Sequence, residues 1–538
     1  MSNITFNWYD GLIFLAFLSV VVIFSMYKSR KEKTGEDYFL AGRGLIWPLI
    51  GLSMIAANIS TEQFVGMSGQ GAGSAGLAIA SYEWMAAITM VIVALFFLPH
   101  FLKTGIYTFP EFLEYRYSPT ARNLMAFYTV LIYVFVLVAS VLYSGGLTIK
   151  TLFEGTTPFG IEVTLTNSVW LVGIIAAIYT VWGGLKGIAW ADLFFGSSLI
   201  IGGVITLIIG LGAVGGVSNF LTANEDKLHM ILPADHPVLP WTALVFGLWL
   251  PNFYYWSVNQ FITQRTLAAK SLKEGQLGVI FASFLKLLTP FIIVIPGIIA
   301  WQLFKSEMAG AEATTDAAFP LIIRNLIPGG LRGFIFAAIG GAVMSSLASM
   351  LNSASTIFTM DVFKRFINKD PSQKTIVTTG RISTLIFLLI GCIIAPNLNS
   401  PALKGIFTYI QEFQGFISPG ILAAFAFGLI IKRAPKQAGV VALILNPILY
   451  GILLIFCGTL PYFEKIGLTL VEIAFLNRMA ITFIIIIIVM GIITLVKPLK
   501  EPVKMPERKD FDMKTPGLVK KLGAVVIILV VILYIIFW

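Results

Sequence analysis

The chain has 538 residues, of which 57% are hydrophobic and only 12% charged. That composition excludes an ordinary soluble globular protein. Recurrent runs of about 20 apolar residues are long enough to cross roughly 30 Å of hydrocarbon, and a β-barrel would show short alternating segments instead. The fold class is therefore an all-α polytopic membrane protein. A formal charge of +10 would by itself suit nucleic acid as a partner, but its distribution along the chain points elsewhere. Cys392 and Cys457 both sit in apolar runs and read as unpaired membrane thiols.

In chain order, fourteen candidate spans cover 8–27, 46–72, 76–102, 123–150, 167–184, 187–213, 241–263, 275–303, 332–360, 376–396, 404–430, 437–459, 466–495 and 514–538. The first lacks a small-residue cleavage pattern and reads as a retained helix. The second contains MIAANISTEQFVGM, Met54–Met67, which puts Asn58, Ser60, Thr61, Glu62 and Gln63 near its middle. Lipid offers the backbone no partner, so such a break survives only beside a protein-lined cavity. Broken helices at that depth are where secondary transporters hold solute and coupling ion. The third span carries Glu83 in SYEWM, and the sixth carries Asp192 toward its inner end. The seventh is expected to break at Pro251-Asn252, because proline removes a backbone donor. The two breaks lie five spans apart, as inverted five-helix repeats require. The third and eleventh spans are long and should bend, with Pro419 marking one bend.

The connections differ in charge. Lys28, Arg43, Lys103, Arg116, Arg122, Lys186, Arg265, Lys270, Lys364, Arg365, Lys432 and Arg433 fall at one set of span ends, with the Lys-rich 497–513 linker. Fewer, such as Lys227, Arg324 and Arg478, fall at the other. This is the positive-inside pattern. It makes the basic excess a topology signal, argues against nucleic acid, and places both termini outside. The outer connections 214–240 and 304–331 are polar or mixed, the second holding Glu312 and Asp316.

Ionisable residues within spans are expensive and are candidates for function. Glu62, Glu83, Asp192, Lys286 and Glu412 qualify. A lysine and a glutamate at similar depth, Lys286 and Glu83, can form a structural ion pair or bind a polyol. The ninth span reads GGAVMSSLASMLNSAS. Close helix packing accounts for it; so does a cation site made of Ser345 and Ser346 hydroxyls with carbonyls freed at Ala56–Ile59. Asn252, Tyr255 and Trp256 combine an amide with aromatic faces, a mixture that suits a sugar ring but equally a packed core. His100, His229 and His236 form no metal or triad spacing. No GxxxxGK[ST] sequence is present, which argues against ATP as the energy source.

Several segments then resemble a known family: EDYFLAG at 36–42, AANISTEQFVGMSG at 56–69, GLAIASYEWM at 76–85, NFYYW at 252–256, QRTLAAK at 264–270, SSLASMLNSASTIFTMD at 345–361, YIQEF at 409–413 and SPGILA at 418–423. In order along nearly the whole chain, they resemble the sodium/solute symporter family, in its bacterial sodium/glucose–galactose branch. The resemblance implies a leucine-transporter-type fold in which spans 2–6 and 7–11 are inverted repeats and spans 2 and 7 are discontinuous. The expected organisation is an extra helix and loop over 1–45, a first repeat over 46–213, an outer loop over 214–240, a second repeat over 241–430, and extra helices over 431–538. It implies an alternating-access symporter in the bacterial inner membrane that uses sodium to drive a small neutral sugar.

By the same resemblance, the sodium ligands would be the carbonyls of Ala56, Ile59 and Ala342 and the hydroxyls of Ser345 and Ser346, with Asp192 on the ion path. The sugar contacts would be Gln63, Glu83, Asn252, Lys286 and Gln411, with Asn58 nearby. Tyr255 would stack beneath the sugar as inner gate, and Met67, Tyr82 and Phe407 would cap it from outside. Two departures stand out. Ala86 replaces a sugar-contacting serine, which puts the preferred hexose in question. Ala348 stands where relatives using two sodium ions carry serine, which favours one ion per cycle. Other readings are the same fold moving myo-inositol, a sialic acid or an amino acid, a transporter-fold sensor, or a passive channel. Glu62 has no role in either implied site.

Overall fold

The computed structural model describes residues 8–30, 33–60, 62–152, 162–308, 315–398, 406–458, 472–508 and 512–538. Thr61, Glu312 and the side chain of Phe407 lie outside the described residues. The molecule is all-helical, as a chain with so few polar backbone partners available in lipid must be. Among the described residues, ten helices are long and apolar enough to cross a membrane, or eleven if one bent pair counts as a single span. That count falls short of fourteen for a physical reason. Helix occupies every expected span, but the second and seventh are broken into pieces too short to qualify alone. The fifth and sixth form one helical run, Leu165–Ala213, kinked at Gly184 with φ 49°, inside the expected fifth–sixth boundary. Only glycine adopts that conformation cheaply.

The second span runs as helix over Trp47–Asn58, breaks, and resumes over Glu62–Met67 and Ser68–Ala72. The seventh is also discontinuous, but not where proline suggested. Pro251 lies in the first turn of the helix Trp249–Ser257, where no intrahelical acceptor needs its missing N–H. The interruptions fall instead at Leu248, after a π-helical turn over Ala243–Gly247, and at Val258–Asn259, before helix Gln260–Leu267. The eleventh span bends by 46° between Tyr409–Gly415 and Ser418–Ile430, and Pro419 stands in the first turn of its second half.

Burial separates centre from periphery. The ninth-span helix, within Leu331–Ile367, is 89% buried over its apolar window, whereas the first, twelfth and fourteenth are each 22% buried. The ninth is thus the core post, and the helices at the chain's two ends face lipid. The first span nevertheless fixes the ninth: Asp10 accepts the N–H groups of Gly330 at 2.7 Å and Gly333 at 3.1 Å, capping that helix where donors would go unpaired. The eighth span, Leu272–Met308, passes the second half of the second span so closely that a Cβ on Gly297 would lie 2.1 Å from the Ser68 carbonyl oxygen. Arg116 donates to the carbonyls of Gly428, Ile431 and Ala434 at 2.6–3.1 Å, closing the C-terminal end of the eleventh span. The linker is pinned there too, by Lys103–Glu507 at 2.8 Å and the Arg508 N–H to the Lys103 carbonyl at 2.7 Å.

Candidate functional site

The break in the second span exposes two faces. At its end the Ser60 N–H turns to Gln63 Oε1 at 2.9 Å, and the Gln63 N–H bonds the Ser60 carbonyl at 3.1 Å. Neither the Ala56 nor the Ile59 carbonyl therefore receives its helical donor four residues on. Across from them the ninth span presents its serines. The Ser346 hydroxyl donates to the Ala57 carbonyl at 2.9 Å, and Ser345 lies beside the Asp192 carboxylate. Ala342, Ser345, Ser346 and Asp192 are all fully buried. The Ser346 hydroxyl and the Ala57 carbonyl meet at the break, and the Ser345 hydroxyl, without a hydrogen-bond partner among the described residues, stands by the Asp192 carboxylate; such oxygens are the kind of donor a hard monovalent cation takes. Asp192 is in turn held by the Ser53 hydroxyl and by Arg265 at 3.5 Å. Arg265, grouped by sequence with the inner-face cations, is fully buried and also donates to Ser53 at 2.5 Å and to Ser349. A guanidinium at that depth needs such a fork of acceptors.

The other face opens on a cavity of about 60 Å³, several times the ~10–15 Å³ that one water needs. Asn58, Gln63, Glu83, Asn252, Lys286 and Gln411 line it, and so do Tyr255, Met67 and Tyr82. Six elements converge here from positions that are distant in sequence. Lys286 is 1% exposed and donates to both Glu83 and the Asn58 side-chain carbonyl. It also sits 5.0 Å above the Trp256 ring, a favourable place for an ammonium. Asn58 uses its amide hydrogen on the Tyr255 hydroxyl at 3.0 Å, so one side chain ties the lysine to the expected inner gate. Tyr255 is steadied edge-on by Trp256 at 5.2 Å and Phe261 at 5.5 Å. The Asn252 amide nitrogen is buried with no hydrogen-bond partner among the described residues.

Glu62, Gln414, Trp256 and Met350 line the same cavity. Gln414 was legible in retrospect, because it stands three residues after Gln411 and so on the same helix face. Glu412 points elsewhere. It pairs with Arg478 of the thirteenth span and accepts the Tyr450 hydroxyl at 2.8 Å. Arg478, in the first turn of that helix, is the buried partner of that carboxylate. Cys392 and Cys457 are free thiols.

Comparison with known proteins identifies the family. The model of the sodium:solute symporter family matches residues 38–446. The chain is 40% identical to a sodium/glucose cotransporter of Vibrio parahaemolyticus, over 87% of this chain and 90% of that protein. It is 31% identical to a sodium/myo-inositol cotransporter 2 of Oryctolagus cuniculus, over 82% of this chain and 69% of that one. In structure it resembles a sodium-coupled sialic acid symporter in a substrate-bound outward-open state, with TM-score 0.78 and 24% identity, covering 93% of this chain and 99% of that chain. The matched core, its broken helices and the two facing sites lead to one conclusion: this multi-pass membrane protein belongs to the sodium:solute symporter family.

Proposed function

We propose that the chain imports a small neutral sugar of the galactose or glucose type, driven by an inward sodium gradient, by alternating access. Sodium is the co-transported ion of this family. The observation that carries the reading is the adjacency of Ala57 and Asn58. Ala57 offers its carbonyl to Ser346 on the ion side, and Asn58 binds Lys286 and Tyr255 on the solute side. Movement of this last helical turn before the break therefore reaches both ligands, which is what coupling requires. The proposed sodium ligands are the carbonyls of Ala56, Ile59 and Ala342 and the hydroxyls of Ser345 and Ser346, with Asp192 on the path. On the solute side, Glu83 accepts sugar hydroxyls, while Lys286 has a third hydrogen to donate. Gln63, Asn252 and Gln411 supply amides, and Tyr255 closes the inner end. The two repeats are 46–213 and 241–430, and both termini face outside, as the basic residues suggest.

The test is uptake into proteoliposomes with and without a sodium gradient. Labelled D-galactose or D-glucose should accumulate only with sodium outside. Sugar flux indifferent to sodium would refute the mechanism. The inositol relative supports a second reading, and myo-inositol abolishing hexose uptake at concentrations far below the hexose's own half-saturation would favour it.

A further inference from the structure

Glu62 is the charge that neither site explains. The cavity's acidic and basic side chains are Glu62, Glu83 and Lys286. Lys286 is taken, held by Glu83 and Asn58 and seated on Trp256. The nearby Glu412 is taken as well, by Arg478. Arg265, behind Tyr255, is committed to Asp192, Ser53 and Ser349. The Glu62 carboxyl has no hydrogen-bond or ion-pair partner among the described residues, and it feels Glu83 as well as Lys286. Two carboxyls thus share one ammonium in a low-dielectric space, where an uncompensated carboxylate is costly. The same cavity presents the unpartnered Asn252 amide, so it is a recognition surface and not a sealed core.

We infer that Glu62 is the receptor for a cationic amino group on the transported solute, so that the substrate class extends to protonated amino sugars and excludes acid sugars. The inference rests on the sugar reading of this cavity. A hexose ammonium would give Glu62 the cation it lacks while Glu83, Lys286 and the amides hold the ring hydroxyls. A carboxylate-bearing solute would meet two like charges and a lysine already neutralised.

The experiment is competition against sodium-driven uptake of labelled D-glucose or D-galactose. D-glucosamine, D-galactosamine, their N-acetyl forms and D-glucuronate are compared in the parent protein, Glu62→Gln and Glu62→Asp. The quantity read is each inhibition constant divided by that of the matching neutral hexose. The parent protein should bind the amino sugars at least as well as the hexoses and reject glucuronate. Glu62→Gln should weaken amino sugars about tenfold relative to hexoses, which is ~1.4 kcal/mol, and improve glucuronate. Glu62→Asp should restore the amino-sugar preference, which guards against a folding defect. An amino-to-neutral ratio unchanged in Glu62→Gln overturns the inference. So does loss of sodium dependence with the ratio intact, since Glu62 would then serve the ion. If no hexose competes at all, the sugar reading fails, an outcome distinct from a flat ratio.

Discussion

Lys286 and Glu83 are the clearest case of a residue pair whose stability and function can be separated. Removing one partner of a buried pair leaves a bare charge, at a cost of about 3–5 kcal/mol, whereas replacing both can be neutral. We therefore predict that Lys286→Met lowers thermal stability in detergent and abolishes hexose uptake. Adding Glu83→Gln should recover most of the stability and none of the uptake. Thermal midpoint and uptake, measured on the same preparations, check this; recovery of uptake in the double variant would show the pair to be structural. A second residue-scale prediction concerns Asp316, in the connection between the eighth and ninth spans. Burial pushes its carboxyl up to about 6 from a usual 3.8. The folded protein thus keeps this proton to higher pH than the unfolded chain, and stability present at low pH is lost as pH rises through 6. Asp316→Asn should flatten the thermal midpoint across pH ~4–6.5 and raise it at pH 7, relative to the parent. An unchanged pH profile would count against it.

At the scale of elements, the broken second span depends on a side chain. Gln63 Oε1 takes the Ser60 N–H, which in a continuous helix would bond the Ala56 carbonyl. Gln63→Ala should let that turn close and occupy an oxygen proposed for sodium. The expected result is a sodium requirement raised about tenfold or more, with weaker hexose binding, in uptake titrated against sodium. A change confined to the hexose would mean that Gln63 touches only the solute. How far such features were legible follows from the same physics. The polar run at Asn58–Gln63 announced its break because a lipid-facing helix cannot hold those residues. Lys286 and Glu83 were legible as charges within spans, and their pairing as a possibility. The seventh-span break was misplaced because proline in a helix's first turn breaks nothing, and nothing local marks Val258–Asn259. Arg265 and Arg478 were legible as span-end cations but not as members of buried pairs, since their acceptors, Asp192 and Glu412, lie 73 and 66 residues away. Glu62 was visible as a charge, but its isolation appears only once every other charge in the cavity has found its partner.

Across the whole molecule, the last helix connects the periphery to the solute site. Gly517–Ile536 is mostly lipid-facing, yet its buried stripe of Val519, Val526 and Val530 ends in specific contacts. Phe537 stacks on Trp84 at 6.0 Å and Tyr534 meets the same ring at 6.1 Å; Trp84 is the neighbour of Glu83. The carbonyls of Phe537 and Trp538 bond the Met230 N–H at 2.9 Å and the His229 ring at 3.0 Å. The same loop also carries Lys227, which donates to the Gly73 carbonyl at 2.7 Å and the Ala72 carbonyl at 3.1 Å and lies over Trp301. It thereby caps the outer half of the broken span, whose other end holds Glu62 and Gln63. Deleting residues 517–538 should uncover Trp84, loosen the loop and let the outer half-helix drift. We predict a lower thermal midpoint, faster amide exchange over 225–231, and hexose uptake reduced severalfold with sodium dependence retained, because the proposed ion site lies on the opposite face of the break. Unchanged exchange in the loop would reduce the helix to a lipid-facing appendage; loss of sodium dependence would place the two faces of the break in closer mechanical contact than their geometry implies.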